Sequence, residues 1–280
     1  MPTPTPTPTP TPVPTLEAAF LVAAGDIADC GLEGDSVTAA LIEEHPDAVV
    51  APLGDLAYPN GTATTYDNCY DPAWGTFRDR TRPAVGNHDL NADAGAAFWS
   101  YFGTDAGAQG DGWYSYDIGA WHAVVLNSNC DRIGCEEGSA QHAWLLADLA
   151  AADAACTLAY WHHPRFSSGP HGDDARLTPL WAALVEADAE LVLAGHDHLY
   201  ERFAPLDAAG VPDPEGMRQF TVGTGGAPHY TAERVAPGSE LIVDDAHGIL
   251  RLELAADGYA WSFLTVDGTE ADSGSGACLP

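Results

Sequence analysis

The sequence predicts an α/β protein in which two β-sheets pack against each other and helices cover their outer faces. Three observations predict this class. Strand–helix–strand alternation recurs along the chain, a strand-rich segment closes it, and the composition stays globular from residue 16 onward. A hydrophobic content of 46% is enough to bury a core in a chain of 280 residues. Because no second break in composition appears, we expect one domain over residues 16–280.

The first half of the chain carries a strand–helix–strand unit. Residues 18–24 and 48–53 are short, continuously apolar runs of the kind that forms buried strands. Residues 36–45 between them are predicted to form a helix that ends at Pro46. Strands joined in this way pair in parallel. Residues 112–128 alternate between apolar and polar side chains, which is typical of a hairpin.

The second half repeats the alternation and then turns to strands. Ser139 is a good N-cap for a helix that runs to about residue 152, and a strand is predicted at 157–161. A helix at 177–187 precedes a further strand at 190–194. The final apolar runs are predicted to form antiparallel strands at 219–222, 248–254 and 259–266.

Residues 1–15 are rich in Thr and Pro and form almost a pure repeat from Pro2 onward. Proline fixes φ and removes backbone donors, so this segment is expected to be a disordered, extended tether. At about 3.1 Å per residue it could reach roughly 40 Å. Thr-Pro stalks are typical of exported proteins, so we expect that a signal peptide preceded this chain and was removed. A disordered start with no role in targeting is the alternative.

The charge is strongly negative. The chain has 10 arginines, no lysine and 41 acidic residues, which gives a formal net charge of −31. This excludes the broad basic surface that binds a nucleic-acid duplex or an anionic membrane. The apolar runs are also too short to span a bilayer. An anionic substrate would therefore need another source of positive charge.

Six cysteines without a C-x-x-C pair suggest disulfides and an oxidising compartment. Cys130 and Cys135 flank four residues, a loop that a disulfide could close. Six buried, reduced thiols are the alternative, and the sequence does not choose the other pairings. Together with the Thr-Pro segment, the cysteines predict a secreted or cell-surface protein.

Residues that can bind metal ions follow five apolar strands or strand-like runs. In open α/β sheets, ligands bind beyond the carboxyl ends of the strands. A glycine at the start of most of these blocks lets the backbone turn sharply there. One such block is a weak signal, because an Asp after a strand is usually a cap or turn residue, but five together predict a metal site. The blocks are Gly25-Asp26, Gly54-Asp55-Leu56-Ala57-Tyr58, Gly86-Asn87-His88-Asp89, His162-His163-Pro164 and Gly195-His196-Asp197-His198.

These ordered blocks resemble those of the calcineurin-like metallophosphoesterases and, more narrowly, those of the purple acid phosphatase branch. The match runs from about Phe20 to Gly226. The superfamily has Asp-x-His in its first block, whereas Ala28 stands at the histidine position here. The purple branch instead has a tyrosine three residues after the bridging aspartate, and Tyr58 stands at that position. The resemblance implies a four-layer αββα sandwich of two mixed β-sheets flanked by helices.

The resemblance also implies two metal ions. A site with a tyrosinate and carboxylates favours Fe(III), whereas a site with mostly neutral ligands favours a divalent ion such as Zn, Fe or Mn. The two ions would supply the positive charge that the protein surface lacks. The implied ligands are Asp26, Tyr58 and His198 for Fe(III), Asn87, His162 and His196 for the divalent ion, and Asp55 as the bridge between them.

The implied reaction is hydrolysis of a small phosphate monoester by metal-bound hydroxide. In this reading His88 binds phosphate and assists the leaving group, and Asp89 orients His88. His171 lies at a spacing that resembles a second active-site histidine, although an exposed loop histidine is the alternative. The expected substrate-binding residues are His88, His163, Arg165 and His171.

Two other functions remain open at this point. The same metal site could act on phosphodiesters or nucleotides, which base-stacking aromatic residues near His88 or His171 would favour. The chain could also be a non-catalytic metal-binding or surface-interaction protein, although an intact set of ligands argues against this. A monomer is favoured, and the sequence does not determine the natural substrate.

Overall fold

Residues 18–279 are described by a computed structural model, and within them the chain forms twelve strands and six α-helices. The strands are β1 (Ala19–Ala24), β2 (Val49–Pro52), β3 (Tyr114–Ile118), β4 (Trp121–Val125), β5 (Cys156–Tyr160), β6 (Leu191–Ala194), β7 (Tyr200–Leu206), β8 (Met217–Val222), β9 (Ser239–Val243), β10 (Gly248–Ala255), β11 (Gly258–Thr265) and β12 (Glu270–Ala277). The helices are α1 (Gly34–Glu43), α2 (Ala63–Thr65), α3 (Ala96–Phe102), α4 (Cys130–Ile133), α5 (Ala140–Ala151) and α6 (Thr178–Glu186). The predicted tether at residues 1–15 lies outside the described residues.

The strands form two mixed sheets. One has five strands in the order β12-β11-β10-β1-β2, and β1 and β2 are its parallel pair. The other has seven strands in the order β3-β4-β5-β6-β8-β7-β9. Its middle strands β4, β5, β6 and β8 pair in parallel, and its edges are antiparallel. Two sheets with helices confirm the predicted fold class.

The middle strands of the seven-stranded sheet are buried on both faces. Leu191 and Leu193 of β6 join the core between the sheets, whereas Val192 packs with Leu145 of α5 and Trp181 of α6. Since both faces are covered, the strand is continuously apolar rather than alternating. Helix α1 packs on β10 of the other sheet. The order of layers is therefore helix, sheet, sheet, helix.

The predicted elements are largely confirmed. Strands β1 and β2 are parallel and joined through α1, and Ser139 Oγ caps α5 by accepting the His142 amide over 3.3 Å. The C-terminal strands differ from the prediction in one respect. Strand β8, which begins at Met217, was expected to be antiparallel, but it pairs in parallel with β6 and antiparallel with β7. Its position inside the seven-stranded sheet, not its own pattern, decides this.

Three strands are absent from the sequence prediction. Strands β7 and β9 form one edge of the larger sheet, and β12 forms an edge of the smaller one. The segment Glu270–Ala277 contains Asp, Ser and Gly residues, which strands disfavour, so only pairing with β11 explains its extended shape. Conversely, the apolar run at Pro83 forms no regular strand, since Ala84 makes only an isolated bridge with Leu53.

Three disulfides join the six cysteines. The predicted bridge between Cys130 and Cys135 is confirmed, and the alternative of reduced thiols is wrong. The other bridges, Cys30–Cys69 and Cys156–Cys278, join segments that are distant in sequence. Closing such long loops restricts the unfolded chain and stabilises the fold.

Among the helices of the described range, none combines the length and apolarity that crossing a bilayer requires.

Candidate metal centre

The carboxyl ends of β1, β2, β5 and β6 meet at one edge of the sandwich. The Asp26 amide donates to the Gly54 carbonyl over 3.0 Å, which joins the loops after β1 and β2. The His196 amide donates to Asp26 Oδ2 over 2.7 Å, which joins the loops of the two sheets. His162 Nδ1 lies 2.8 Å from the Leu53 carbonyl oxygen. The predicted blocks therefore converge because parallel strands end at the same edge.

One group of donor atoms surrounds the Tyr58 hydroxyl. Tyr58 Oη donates to Asp26 Oδ1 over 2.8 Å and lies 3.3 Å from Asp55 Oδ2. His198 Nε2 lies 3.1 Å from the same hydroxyl and 3.3 Å from Asp26 Oδ1. These side chains are the residues that were predicted to hold the first ion and the bridge.

A second group surrounds His162 Nε2. This atom lies 3.1 Å from Asp55 Oδ2 and 3.1 Å from Asn87 Oδ1. His196 Nδ1 lies 3.2 Å away. The structure thus brings all seven predicted ligands into one cluster, and Asp55 Oδ2 belongs to both groups.

The histidine tautomers suit metal binding. His162 Nδ1 lies 2.8 Å from the Leu53 carbonyl, and His198 Nδ1 lies 2.6 Å from the Pro228 carbonyl. A carbonyl oxygen only accepts hydrogen bonds, so each Nδ1 carries a proton. In the neutral ring the Nε2 lone pair then points into the cluster, towards other acceptor atoms. Converging lone pairs of this kind, each oriented by a hydrogen bond behind the ring, fit a metal site.

The buried carboxylates are ionised. Burial alone would raise the pKa of Asp26 and Asp55, but the neighbouring histidines outweigh it, mainly His198 for Asp26 and His162 for Asp55, and both pKa values are lowered. Burial likewise opposes the charged form of His162, yet Asp55 raises its pKa to about 9. Two negative charges at the centre of the cluster therefore have only histidines to balance them, which favours binding of cations.

Tyr58 has the opposite tendency. Burial, followed by the charges of Asp26 and Asp55, raises the pKa of Tyr58 well above its ordinary value. The protein's own charges therefore keep this phenol protonated. A cation in the cluster would reverse the local electrostatics and favour the phenolate, so Tyr58 as a ligand requires a strongly charged ion.

Three candidate ligands have unusual backbone conformations. Asp26, Asp55 and His196 have φ values of 60°, 52° and 71°, in the left-handed region that side chains other than glycine rarely adopt. Such strain persists where the surrounding structure imposes it, and it concentrates at functional sites. Each of the three directly follows a glycine that lies one or two residues beyond the end of a strand.

The glycines before these residues act mainly by leaving room. Gly54 has a positive φ of 86°, as the prediction of sharp turns requires. At Gly86, however, an added Cβ would overlap the Asp55 carboxylate, and at Gly195 it would lie 2.7 Å from Asp26 Oδ2. The expectation that the glycines serve sharp turns is therefore corrected for Gly86 and Gly195, where the close approach of backbone to carboxylate requires glycine.

Asp89 does not contact the His88 ring, contrary to the predicted orienting role. It is fully buried, and burial together with the charge of Asp55 raises its pKa to about 6. It orients the backbone of the Asp55 loop instead. Its donors are the amides of Asp55 (2.9 Å), Leu56 (3.0 Å) and Gly86 (2.9 Å) and the hydroxyl of Tyr66 (2.7 Å).

His88 lies at the solvent side of the cluster. Its amide donates to Asp55 Oδ1 over 2.7 Å, and its Nδ1 donates to the Pro59 carbonyl over 2.5 Å. That bond orients the ring, and Nε2 lies 3.9 Å from Asp55 Oδ2. The ring is about one-third exposed, so it is open to a bound molecule.

His171 lies on another side of the same cluster, with its ring centroid 4.1 Å from that of His196. Its Nδ1 is 2.7 Å from Asp197 Oδ1, and its amide also donates to that atom. Asp197 is fully buried and accepts a further hydrogen bond from Ser167 Oγ. Sequence reasoning missed Asp197, although its place between two candidate ligands was a signal.

His163 adds a further imidazole to this region. Its ring centroid lies 4.3 Å from that of His196, and Nδ1 lies 2.8 Å from Ser128 Oγ. Burial, then the charges of His162 and His196, lower its pKa well below the ordinary value, so it is neutral. His162, His163 and His196 together form a second set of atoms close enough to hold one ion.

Arg165 does not line the cavities beside this cluster. Its guanidinium lies over the Phe166 ring, 4.4 Å from the centroid, and its amide donates to Gln219 Oε1 over 3.1 Å. In the described part of the chain, Arg176 rather than Arg165 lines the cavity beside His171. The aromatic neighbour that the sequence places after Arg165 explains the difference.

The fold and the donor cluster together define a class of protein, an αββα sandwich with residues that can bind metal ions at one edge. The profile of the calcineurin-like phosphoesterase family matches residues 13–200, and the chain belongs to this family. The predicted resemblance, including the purple acid phosphatase branch, is thereby confirmed.

Known proteins support this assignment. Purple acid phosphatase 23 of Arabidopsis thaliana is 29% identical over 241 residues, which cover 71% of this chain and 51% of the relative. The purple acid phosphatase PPD1 of yellow lupin superimposes with a TM-score of 0.75 at 18% identity, covering 93% of this chain and 54% of its own. GAP50 of Plasmodium, described as an anchor in the inner membrane complex, superimposes with a TM-score of 0.71 at 16% identity, covering 94% and 90%.

The structural and the sequence similarities support different conclusions. The structural ones, at under one-fifth identity, concern the fold alone. The chain spans about half the length of the curated relatives it matches. The family and its named members support the predicted class of phosphoric-ester hydrolase.

Proposed function

We propose that the chain hydrolyses small phosphate monoesters at a dinuclear metal centre. The observation that supports this best is the position of Asp55 Oδ2, which lies 3.3 Å from Tyr58 Oη and 3.1 Å from His162 Nε2. One carboxylate oxygen thus faces two separate donor sets. A carboxylate in this position can bridge two neighbouring metal ions.

The two donor sets differ in charge, and we assign the ions accordingly. The set that contains the phenol and Asp26 is rich in anionic oxygen and suits Fe(III), whereas the set of imidazoles and an amide suits Zn, Fe or Mn as divalent ion. The two ions would supply a hydroxide nucleophile and bind a phosphate oxygen. The ligands are Asp26, Tyr58 and His198 for the first ion, Asn87, His162 and His196 for the second, and Asp55 for both.

The exposed histidines would act on the substrate. His88 Nδ1 donates to the Pro59 carbonyl, so its Nε2 is free to bind a phosphate oxygen or to pass a proton to the leaving group. His171 is oriented in the same way by Asp197 and presents its Nε2 near the other donor set. His163, buried and neutral, completes the wall between them.

The aromatic contact beside His171 bears on the alternative of nucleotide substrates. Tyr230 is the aromatic side chain next to His171, with ring centroids 5.5 Å apart. Its ring is stacked on that of His198 at 4.0 Å and 9°. That face is therefore not available to a nucleobase, so the structure offers little support for the alternative of nucleotide substrates.

The non-catalytic alternative also needs a test. GAP50 shares the fold and is described as an anchor, so the fold does not by itself require catalysis. The intact donor cluster of this chain favours an enzyme.

The three disulfides support a secreted or cell-surface location, and we favour a monomer.

A combined spectroscopic and kinetic experiment tests the proposal. The aerobically purified protein is expected to contain two metal ions per chain, to release phosphate from phenyl phosphate, and to show a visible tyrosinate–Fe(III) band. Tyr58→Phe should abolish that band. Tyr200→Phe is the matched control, because Tyr200 is also buried and donates to Asp272 away from the cluster.

Each outcome addresses a different part of the proposal. A colourless, active protein with two zinc or manganese ions would contradict the assignment of Fe(III) and leave the phosphoesterase intact. A protein that binds both ions and releases no phosphate from any monoester would contradict the enzymatic function.

A further inference from the structure

A small cavity beside the candidate ligand Asn87 contains two arginines. Its volume is about 130 Å³, and a second cavity of about 250 Å³ shares two of its walls and reaches His171 and His196. The two spaces lie side by side along the candidate centre. The first is lined by Asn87, Asn129, Asp131, Arg132, His163 and Arg176.

Arg132 is a cation without a partner. Within residues 18–279 its side chain has no ion pair, hydrogen bond or aromatic contact, and it is exposed. In a chain of net charge −31, most other arginines pair with carboxylates, as Arg78 does with Asp105. The Arg132 charge is therefore available to an anion that enters the cavity.

The loop that carries Arg132 is held in place. The Cys130–Cys135 disulfide closes it, and the Asn129 side chain donates to the Val85 carbonyl over 3.3 Å and to Asn127 Oδ1 over 2.9 Å. Val85 lies two residues before Asn87, so the loop is attached to the segment that carries a candidate ligand. The backbone at Arg132 is therefore fixed beside the candidate centre, so that only the side chain has to be ordered when an anion binds.

Arg176 faces the same cavity and is also positioned. It donates to Asp174 through Nε over 2.8 Å and through a terminal nitrogen over 2.6 Å. Its other terminal nitrogen donates to Asp131 over 2.5 Å, but the Asp131 side chain is 84% exposed. Exposed ion pairs are weak. An incoming anion can therefore replace Asp131 while Asp174 keeps the guanidinium in position.

We propose that Arg132 and Arg176 form a subsite for an anionic group on the leaving group of the substrate. The preferred substrates are then phosphate esters whose leaving group carries a second negative charge, either a carboxylate or a phosphate. Guanidinium groups match both anions through paired hydrogen bonds. This proposal rests on the proposed phosphoesterase function and adds a class of substrate to it.

Matched esters test the subsite. Phenyl phosphate and 4-carboxyphenyl phosphate differ by one carboxylate, and pyrophosphate, an anhydride rather than an ester, provides a phosphate in its place. The wild-type holoenzyme is expected to prefer the two anionic substrates over phenyl phosphate. In Arg132→Gln the ratio of kcat/KM for 4-carboxyphenyl phosphate to that for phenyl phosphate should fall about tenfold, chiefly through KM, as one charge-assisted hydrogen bond is lost. Arg132→Glu should lower the ratio further.

Arg251→Gln is the control. Arg251 lies on β10 at 3.7 Å from Glu253 and should leave the ratio unchanged. A greater loss of kcat/KM for pyrophosphate than for 4-carboxyphenyl phosphate supports a phosphate as the natural anion, and the reverse supports a carboxylate. An unchanged ratio in folded Arg132→Gln overturns the subsite alone. Failure of the wild-type holoenzyme to hydrolyse any of the three substrates overturns the proposed function instead.

Discussion

At the scale of single residues, Asp55 connects most of the candidate centre. Its carboxylate accepts the His88 amide over 2.7 Å and faces both donor sets, while its own amide is bound by Asp89. Its left-handed backbone, with φ of 52°, aims the side chain at the cluster. Asp55 thus connects His88 to both proposed metal ions.

We expect Asp55→Asn to abolish nearly all turnover. An amide has no net charge and only one acceptor oxygen, so both proposed ions lose affinity. The loss should be at least as large as the roughly 100-fold that removal of an outer partner of a metal ligand can cause. Metal content and kcat are the measurements, with Asp35→Asn as the control for a buried aspartate elsewhere. Near-full turnover with two bound ions would refute the bridging role.

Asp197 is expected to position His171. Replacing the carboxylate with an amide in Asp197→Asn weakens the 2.7 Å contact with His171 Nδ1 and loosens the ring. We expect kcat to fall about tenfold for an alkyl phosphate, whose leaving group needs a proton, and less for 4-nitrophenyl phosphate, with KM little changed. Equal losses for both esters would indicate a purely structural role. Ser167→Ala, which removes a different contact of Asp197, should cost less.

At the scale of elements, His122 helps to tie the β3–β4 hairpin to α5. His122 Nε2 lies 2.9 Å from Asp148 Oδ2 on the helix, and Nδ1 lies 3.1 Å from Asp117 Oδ1 on the hairpin. Burial by itself would lower the pKa of His122, but these two hydrogen bonds outweigh it and raise the pKa above its ordinary value. The contact thus joins an outer helix to the edge of the larger sheet.

The stability supplied by His122 should depend on pH. Because its pKa is higher in the folded than in the unfolded state, protonation favours folding. The contribution is fully present below the unfolded pKa of about 6.5 and disappears as the pH rises through the folded value. We expect His122→Gln to lower the melting temperature more at pH 5.5 than at pH 9. His142→Gln on α5 is the control, and an equal effect of His122→Gln at both pH values would contradict the charged pair.

At the scale of the whole molecule, the acidic surface and the candidate centre complement each other. A net charge of −31 without lysine leaves little positive potential on the surface. The edge that carries the candidate metal ligands, with Arg132 and Arg176 beside it, is where the chain can concentrate positive charge. The net charge therefore excludes a broad basic surface, but it does not exclude a local cationic cleft that could bind an anionic substrate.

Metal removal should destabilise the entire domain. Without the proposed metal ions, the buried carboxylates of Asp26 and Asp55 would have only the neighbouring histidines to compensate their charges. Ligands present at about 100 times their dissociation constant stabilise a fold by about 2.7 kcal/mol, which corresponds to roughly 5–10 °C in a domain of this size. Dialysis against a chelator should lower the melting temperature by this amount, and added metal should restore it. The Asp55→Asn variant should respond less, and an unchanged wild-type melting temperature would argue against occupied sites.

The sequence by itself determined the parallel strand–helix–strand units and the class of site. Buried parallel strands produce continuous apolar runs, and the residues after them reach one edge of a sheet, so local patterns located the five blocks that carry candidate ligands. The resemblance to the purple acid phosphatases then selected seven residues from Asp26 to His198 within those blocks. The combination of Ala28 with Tyr58 narrowed the family, and the five-residue spacing of Cys130 and Cys135 indicated their disulfide.

Only the tertiary structure decided the contacts between residues that are distant in the chain. Asp89 serves the Asp55 loop rather than its neighbour His88, Asp197 orients His171 from 26 positions away, and Arg132 reaches the cavity of Asn87. Strand β12 is extended because β11 pairs with it, against its own composition. Patterns in the sequence report which face of an element is buried, whereas the partner across that face depends on how all the layers pack.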